Sequence, residues 1–217
     1  MGAGDIRIFS RRDQFFLEWV GFELLRSPED VHDSARSLLQ MLTGASRLAL
    51  GMRKPIKAAH LARNRPDGVR ETFSYVEETA FMRGSATILV TASDGSRMVT
   101  RPADAVPEWT GLALNNAVVA KALRLVGSGI GDWVSIYRLF EVIADDLGGI
   151  EKIDALGWGR KAALKNFKHT ADSVGAVGDD ARHGTERTQP PTNPMKLAHA
   201  KAMVNLLLHE WLRSKIT

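Results

Sequence analysis

The hydrophobic period of this chain changes twice, and those changes divide it. Up to Gly44 the apolar residues recur at helical spacing. From Leu48 to Thr91 they alternate, and from Trp109 almost to the end the spacing is helical again. A run with helical period cannot present one face as a strand, nor the reverse. The order predicts an α+β fold: two amino-terminal helices with an antiparallel meander sheet over residues 1–103, then a carboxy-terminal helical bundle over residues 104–217.

The local signals fill in this outline. Ser10 with Asp13 three residues on has a capping-box pattern, and Phe15, Phe16, Trp19, Val20 and Leu24 follow at helical spacing, so a first helix is expected there. Ser27 caps a second helix, Pro28 suits its first position, and Glu29 and Asp30 suit the positive end of its dipole. Its apolar stripe is Val31, Ala35, Leu38, Leu39 and Leu42, with Gly44 as the stop. Residues 46–101 read as a meander of four or five strands, with turns at Pro66-Asp67-Gly68, Arg83-Gly84 and Asp94-Gly95; residues 56–62 allow a short helix instead.

Helices are then predicted over 107–126, from the Asp132 cap to Gly148-Gly149, over 150–156 and over 158–172. Residues 173–193 form a long loop rich in Gly, Asp, Thr and Pro. Asn193 is expected to cap the final helix and Pro194 to open it, with a buried stripe of Leu197, Ala200, Val204, Leu207, Leu208, Trp211 and Leu212. A homodimer through this last helix is one expectation.

Charge is unevenly placed. The formal net charge is only +4, but residues 46–70 hold Arg47, Arg53, Lys54, Lys57, Arg63, Arg65 and Arg70 against Asp67 alone. A second run, Arg160, Lys161, Lys165 and Lys168, contains no acid. Segregated positive charge attracts polyanions. Arg53, Lys54, Lys57, Arg63, Arg65, Arg160, Lys161, Lys165 and Lys168 are therefore the candidate contacts to RNA, DNA or an acidic protein partner.

Several classes of function lack their sequence signature. The chain has no cysteine, so disulfides, thiol nucleophiles and cysteine-ligated metals are excluded. Its histidines and acids show no established metal spacing, and no phosphate-binding loop or nucleophile elbow occurs. No cofactor or metal is expected. No apolar run approaches the roughly 18–20 residues of a membrane span, and residues 1–14 lack a secretory pattern. A cytoplasmic address without membrane association is the expectation.

The chemically suggestive residues lie in the second half. Arg182-His183-Gly184 looks like the signature of histidine phosphatases, but that family's tripeptide follows an apolar first strand, and here it sits in the loop before the last helix. The helical half, roughly residues 107–217, with Arg182 and His183 beside its last long helix, resembles the HEPN group of small helical domains. That resemblance implies metal-independent ribonuclease or toxin chemistry. The family places His about five positions after Arg, whereas Arg182 and His183 are adjacent. Cleavage of RNA without metal needs a base for the 2′-hydroxyl proton and a cation for the phosphorane oxygens. His183 and Arg182 have the right chemistry, and His169 is a second base. Glu141, three residues after Arg138, is placed to pair with it across a helical turn, and Tyr137, Glu141 and Asp145 form a polar stripe.

Three functions stay open on the sequence. One is a non-enzymatic binding or regulatory protein, of a bacterial defence or mobile-element kind, that meets nucleic acid or an acidic protein. The others are a HEPN-like ribonuclease or toxin, and a small-ligand binder or enzyme with an unrecognised site.

Overall fold

The computed structural model describes residues 6–11, 14–64, 70–74, 88–91, 97–100, 105–182 and 188–216. The chain forms two compact units, Met1–Asn115 and Asn116–Thr217, and the fold is α+β with a helical carboxy-terminal part.

The helix expected after Ser10 is not formed. Residues 6–24 form no α-helix but an antiparallel hairpin of β1 (Ile6–Arg11) and β2 (Gln14–Trp19), followed by a 3₁₀ turn, Val20–Leu24. Ser10 lies within β1 and pairs with Phe15, so it caps nothing; Asp13 lies outside the described residues. Aromatic and β-branched residues favour the pleated surface. Phe15, Leu17 and Trp19 also fit a period of two, which here overrides the helical one.

Helix α1 (Pro28–Leu50) begins as expected: Ser27 Oγ accepts from the Asp30 N–H at 3.1 Å and Pro28 occupies the first turn. It does not stop at Gly44, which is buried inside it. It ends at Gly51, whose φ of 65° closes the helix in the left-handed conformation. Thr43 ties the returning chain to the helix, since its hydroxyl donates to Leu39 O at 2.7 Å and accepts from Ile56 N–H at 3.0 Å.

The strands β3 (His60–Asn64), β4 (Arg70–Ser74), β5 (Ile88–Thr91) and β6 (Arg97–Thr100) are antiparallel, but among the described residues they pair two by two, β3 with β4 and β5 with β6, rather than as one meander. The three predicted turns lie outside the described residues. Helix α2 (Ala105–Asn115) packs on α1 and completes this unit.

The second unit is all helix: α3 (Ala117–Ser128), α4 (Trp133–Leu147), α5 (Ile150–Ala155), α6 (Lys161–Asp172), α7 (Val174–Val177) with a 3₁₀ turn at Gly178–Asp180, and α8 (Leu197–Ser214). The helix expected over 107–126 is two helices. Asn116 interrupts it, because its side chain accepts from both Val118 and Val119 N–H at 3.1 Å and so starts α3 as an N-cap. Asp132 and Ser135 form a reciprocal capping box at the start of α4.

Helix α4 is the centre of this unit, packed against α3, α5, α6 and α8. Ile136, Leu139, Phe140 and Ile143 are fully or almost fully buried, as are Leu207, Leu208, Trp211 and Leu212 of α8 and Leu164 and Phe167 of α6. Phe167 gathers the aromatic cluster: its ring centroid lies 6.0 Å from Trp133, 5.7 Å from Tyr137 and 5.1 Å from Phe140. Such stacked and edge-on pairs add to the area term.

The last helix starts later than its sequence suggests. Asn193 and Pro194 precede α8, and Lys196 stands at its N-cap without a side-chain cap. The reason is that the chain before α8 is fastened to α6 instead. Asn166 donates to Asn193 O at 3.1 Å, His169 Nε2 meets Gln189 O at 2.7 Å, Ser173 donates to Thr188 O at 3.1 Å, and Met195 N–H donates to Thr170 Oγ1 at 3.0 Å. These four side chains recur at helical spacing along and just past α6, and together they hold an extended strap.

Candidate functional site

The helical unit carries an open cleft of about 850 Å³. Its walls come from α3 (Lys121, Leu125), α4 (Arg138, Glu141, Asp145), the Gly148-Gly149 turn, Glu151 of α5 and Lys168 of α6. The turn is possible because Gly148 and Gly149 take φ of 87° and 109°, conformations that strain residues with a Cβ.

The charges of this cleft are not balanced pairwise. Glu141 is engaged by Arg182 at 2.8 Å and Glu151 by Lys161 at 3.1 Å. Lys121, Arg138 and Lys168 make no ion pair among the described residues. Three cations thus face the cleft against Asp145 as the one carboxylate without an ion-pair partner there. The expected Arg138–Glu141 pair is not formed, because Arg182, far along the chain, takes the Glu141 carboxylate and Arg138 stays exposed at the cleft.

The basic run of α6 continues this surface. Lys161, Lys165 and Lys168 are spaced four and three residues apart, so they share a face over about 10 Å of helix. Arg160 and Lys165 are exposed and Lys168 is half-buried at the cleft. The Lys161 side chain holds the Glu151 carboxyl below its ordinary range, chiefly through their hydrogen bond, with the charges of Lys161 and Lys165 adding to it. The Lys161 N–H also donates to Asp154 Oδ1 at 2.8 Å, which fixes the start of α6 against α5.

The four candidate catalytic residues fall differently. Arg182 Nη1 donates to Tyr137 Oη at 2.9 Å, Nη2 pairs with Glu141, and its guanidinium carbon stands 4.4 Å from the centre of the Tyr137 ring. Nη1 also lies 3.8 Å from Asp172 Oδ1, and the backbone N–H of Arg182 donates to Ala171 O at 2.9 Å. Arg182 and Glu141 therefore meet, but in a knot that fastens residues 181–182 onto α4 and α6. Tyr137 is held protonated: burial raises its pKa, as do the carboxylates of Asp172 and Glu141, against the lowering effect of Arg182. His169 is engaged with the Gln189 carbonyl and serves the strap. His183 lies outside the described residues.

In the first unit, Arg53, Lys54 and Lys57 are exposed in the irregular segment after α1, and Arg63 is exposed on β3; Arg65 lies outside the described residues. Among the described residues no three His, Asp or Glu side chains gather as a metal site, and no helix is long and apolar enough to cross a membrane.

The spacing of charges along the chain did not single out Lys121 and Arg138. Lys121 had one visible signal, as the lone charge in the otherwise apolar first two turns of α3. Sequence reading also missed the closure of the carboxy terminus, where Asp146 Oδ2 accepts from the Trp211 indole and from Lys215, both at 2.7 Å. No family model, no curated protein and no solved structure matches the chain.

Proposed function

We propose that this chain is a non-enzymatic nucleic-acid-binding protein that grips a phosphate backbone with its helical unit. The observation that carries the reading is the cleft in which Lys121, Arg138 and Lys168, from three different helices, stand without ion-pair partners among the described residues. Unpaired cations along a concave surface attract phosphate and release condensed counterions when it binds.

A polymer fits better than a small anion because the basic surface does not end at the cleft. Lys168 belongs both to the cleft and to the α6 row of Lys161 and Lys165. That row covers room for about three successive phosphates at a rise of roughly 3.4 Å per nucleotide. The Lys161–Glu151 pair is exposed, and such pairs contribute little, so a phosphate can displace the carboxylate.

The chemistry favours binding over cleavage. Arg182, the cation that would stabilise a phosphorane, is engaged by Glu141 and Tyr137. No exposed aromatic side chain lines the cleft, since Phe140 there is almost fully buried. Contacts then run to the backbone rather than to stacked bases, and affinity should depend weakly on sequence.

The test is a binding titration against labelled single-stranded RNA and DNA across a salt series. Affinity should fall linearly on a log–log plot, and Lys168→Glu should weaken binding about tenfold or more and reduce the salt slope by about 1. Absent or salt-insensitive binding would end the proposal.

A further inference from the structure

The cleft of the helical unit holds one group that works against a phosphate. Asp145 lines it together with Lys121, Arg138 and Lys168. Its side chain is exposed and makes no hydrogen bond or ion pair among the described residues. A carboxylate there repels an approaching phosphate and weakens the pull of the cations.

The fold draws no benefit from this carboxylate either. Asp145 sits in the last turn of α4, at the negative end of the helix dipole, and that turn contains no basic residue. Its neighbour Asp146 differs, because Trp211 and Lys215 both bond to it. One turn beyond Asp145 the cleft wall is bare backbone: Gly148 has a φ of 87°, and a Cβ there would meet nothing within 4 Å. That end of the cleft is open to a ligand.

We infer that Asp145 accepts a hydrogen bond from a ribose 2′-hydroxyl and so makes the cleft select RNA over DNA. The inference rests on the phosphate-gripping reading above and adds the class of polymer to it. A carboxylate only accepts hydrogen bonds, so its partner must be a donor. A single strand offers donors on the ribose and on the base edges. The cleft has no exposed aromatic side chain on which a base could stack, so nothing in it turns a base edge toward the wall. The 2′-hydroxyl lies on the sugar that joins successive phosphates, and cations that hold the backbone bring it along.

The spacing on α4 fits this arrangement. Arg138, Glu141 and Asp145 recur at three- and four-residue steps, so they share one stripe about 10 Å long. Arg182 takes Glu141, which leaves a cation at one end of the stripe and a hydrogen-bond acceptor at the other. At a rise of roughly 3.4 Å per nucleotide the stripe spans about three nucleotides. A phosphate at Arg138 and a sugar at Asp145 can therefore belong to one strand.

The experiment titrates the full chain with oligouridine and its 2′-deoxy and 2′-fluoro counterparts at one salt concentration. The 2′-fluoro form keeps the ribose pucker but has no hydroxyl to donate. The wild type should bind the ribose form about tenfold more tightly than either of the others. Asp145→Ala should erase that ratio, chiefly by binding the deoxy form more tightly, since a negative charge has left the cleft. Glu151→Gln removes another charge from the cleft wall, so it should raise both affinities and keep the ratio. Circular dichroism should show wild-type helicity in both variants. Oligocytidine should give the same ribose preference. Equal affinity for ribose and deoxy forms overturns the inference and leaves the phosphate grip standing. So does a preference that survives Asp145→Ala, a 2′-fluoro oligomer bound like RNA, or a preference confined to cytosine, which would assign Asp145 to a base amino group. Binding of neither polymer removes the grip itself, and the inference with it.

Discussion

Helix α4 and the β1–β2 hairpin are both amphipathic, yet one is sealed and the other is only partly covered. On α4, Ile136, Leu139 and Ile143 have no exposed surface, while on the hairpin Phe15 keeps three quarters of its own. The difference lies in the supply of partners, not in apolar content. Within the second unit, α3, α5, α6 and α8 all reach α4, and side chains of α6 hold the chain that delivers α8. The strands of the hairpin meet chiefly each other and the 3₁₀ turn that follows them. An amphipathic pattern specifies which face needs cover; it does not say whether the same chain provides it.

That contrast can be broken most sharply by removing one phenyl ring from each region. Phe167→Ala empties the centre of an aromatic cluster with no solvent access and should cost the helical unit about 3–5 kcal/mol. Phe15→Ala, at a largely exposed position, should stay within about 0.5 kcal/mol. Urea denaturation of each variant measures both, and similar losses would erase the distinction.

The next effect is smaller and depends on pH. Burial alone would raise the Asp146 carboxyl, but hydrogen bonds from Lys215 and Trp211, with the Lys215 charge, outweigh it and hold the pKa below the ordinary 3.8. The folded form therefore takes up this proton less readily than the unfolded one. Its stabilisation is complete above about pH 4 and is lost as pH falls through the lower folded-state value. Asp146→Ala should cost about 1–3 kcal/mol at neutral pH by stranding the indole N–H of Trp211. Asp146→Asn should flatten the acid side of the stability profile, and an unchanged acid limb would refute the assignment.

Arg182→Ala should have the smallest effect, about 1 kcal/mol, because its pair with Glu141 is partly exposed and screened. The loss should appear as faster amide exchange at residues 181–182 rather than as global unfolding. A large drop in nucleic-acid affinity without loss of protection would instead return Arg182 to the binding surface.

The helical unit was the more legible half because its signals are local. The Asp132 cap and Gly148-Gly149 each act within one helical turn, and each does what its residue type dictates. Asn116 could have been read in the same way, since Asn favours N-caps, but the continuous apolar residues around it masked the break. The hairpin departs from the helix its sequence suggests because Phe15 and Trp19, four residues apart, satisfy both periods, and the choice between them depends on β1 lying alongside. Non-local partners also hid the site. Arg138 and Glu141 have the right spacing to pair, but the competing Arg182 lies 41 positions beyond Glu141 in the chain. Lys121, Arg138 and Lys168 become one group only when three helices bring them together.

The binding titration that compares the two basic regions tests the central claim most directly. Replacing Lys121, Arg138 and Lys168 together by Glu, with helicity intact, should weaken single-stranded nucleic-acid binding by about two orders of magnitude. Reversing Lys54 and Lys57 in the first unit should have a clearly lesser effect. Wild-type affinity in the triple variant would contradict the account.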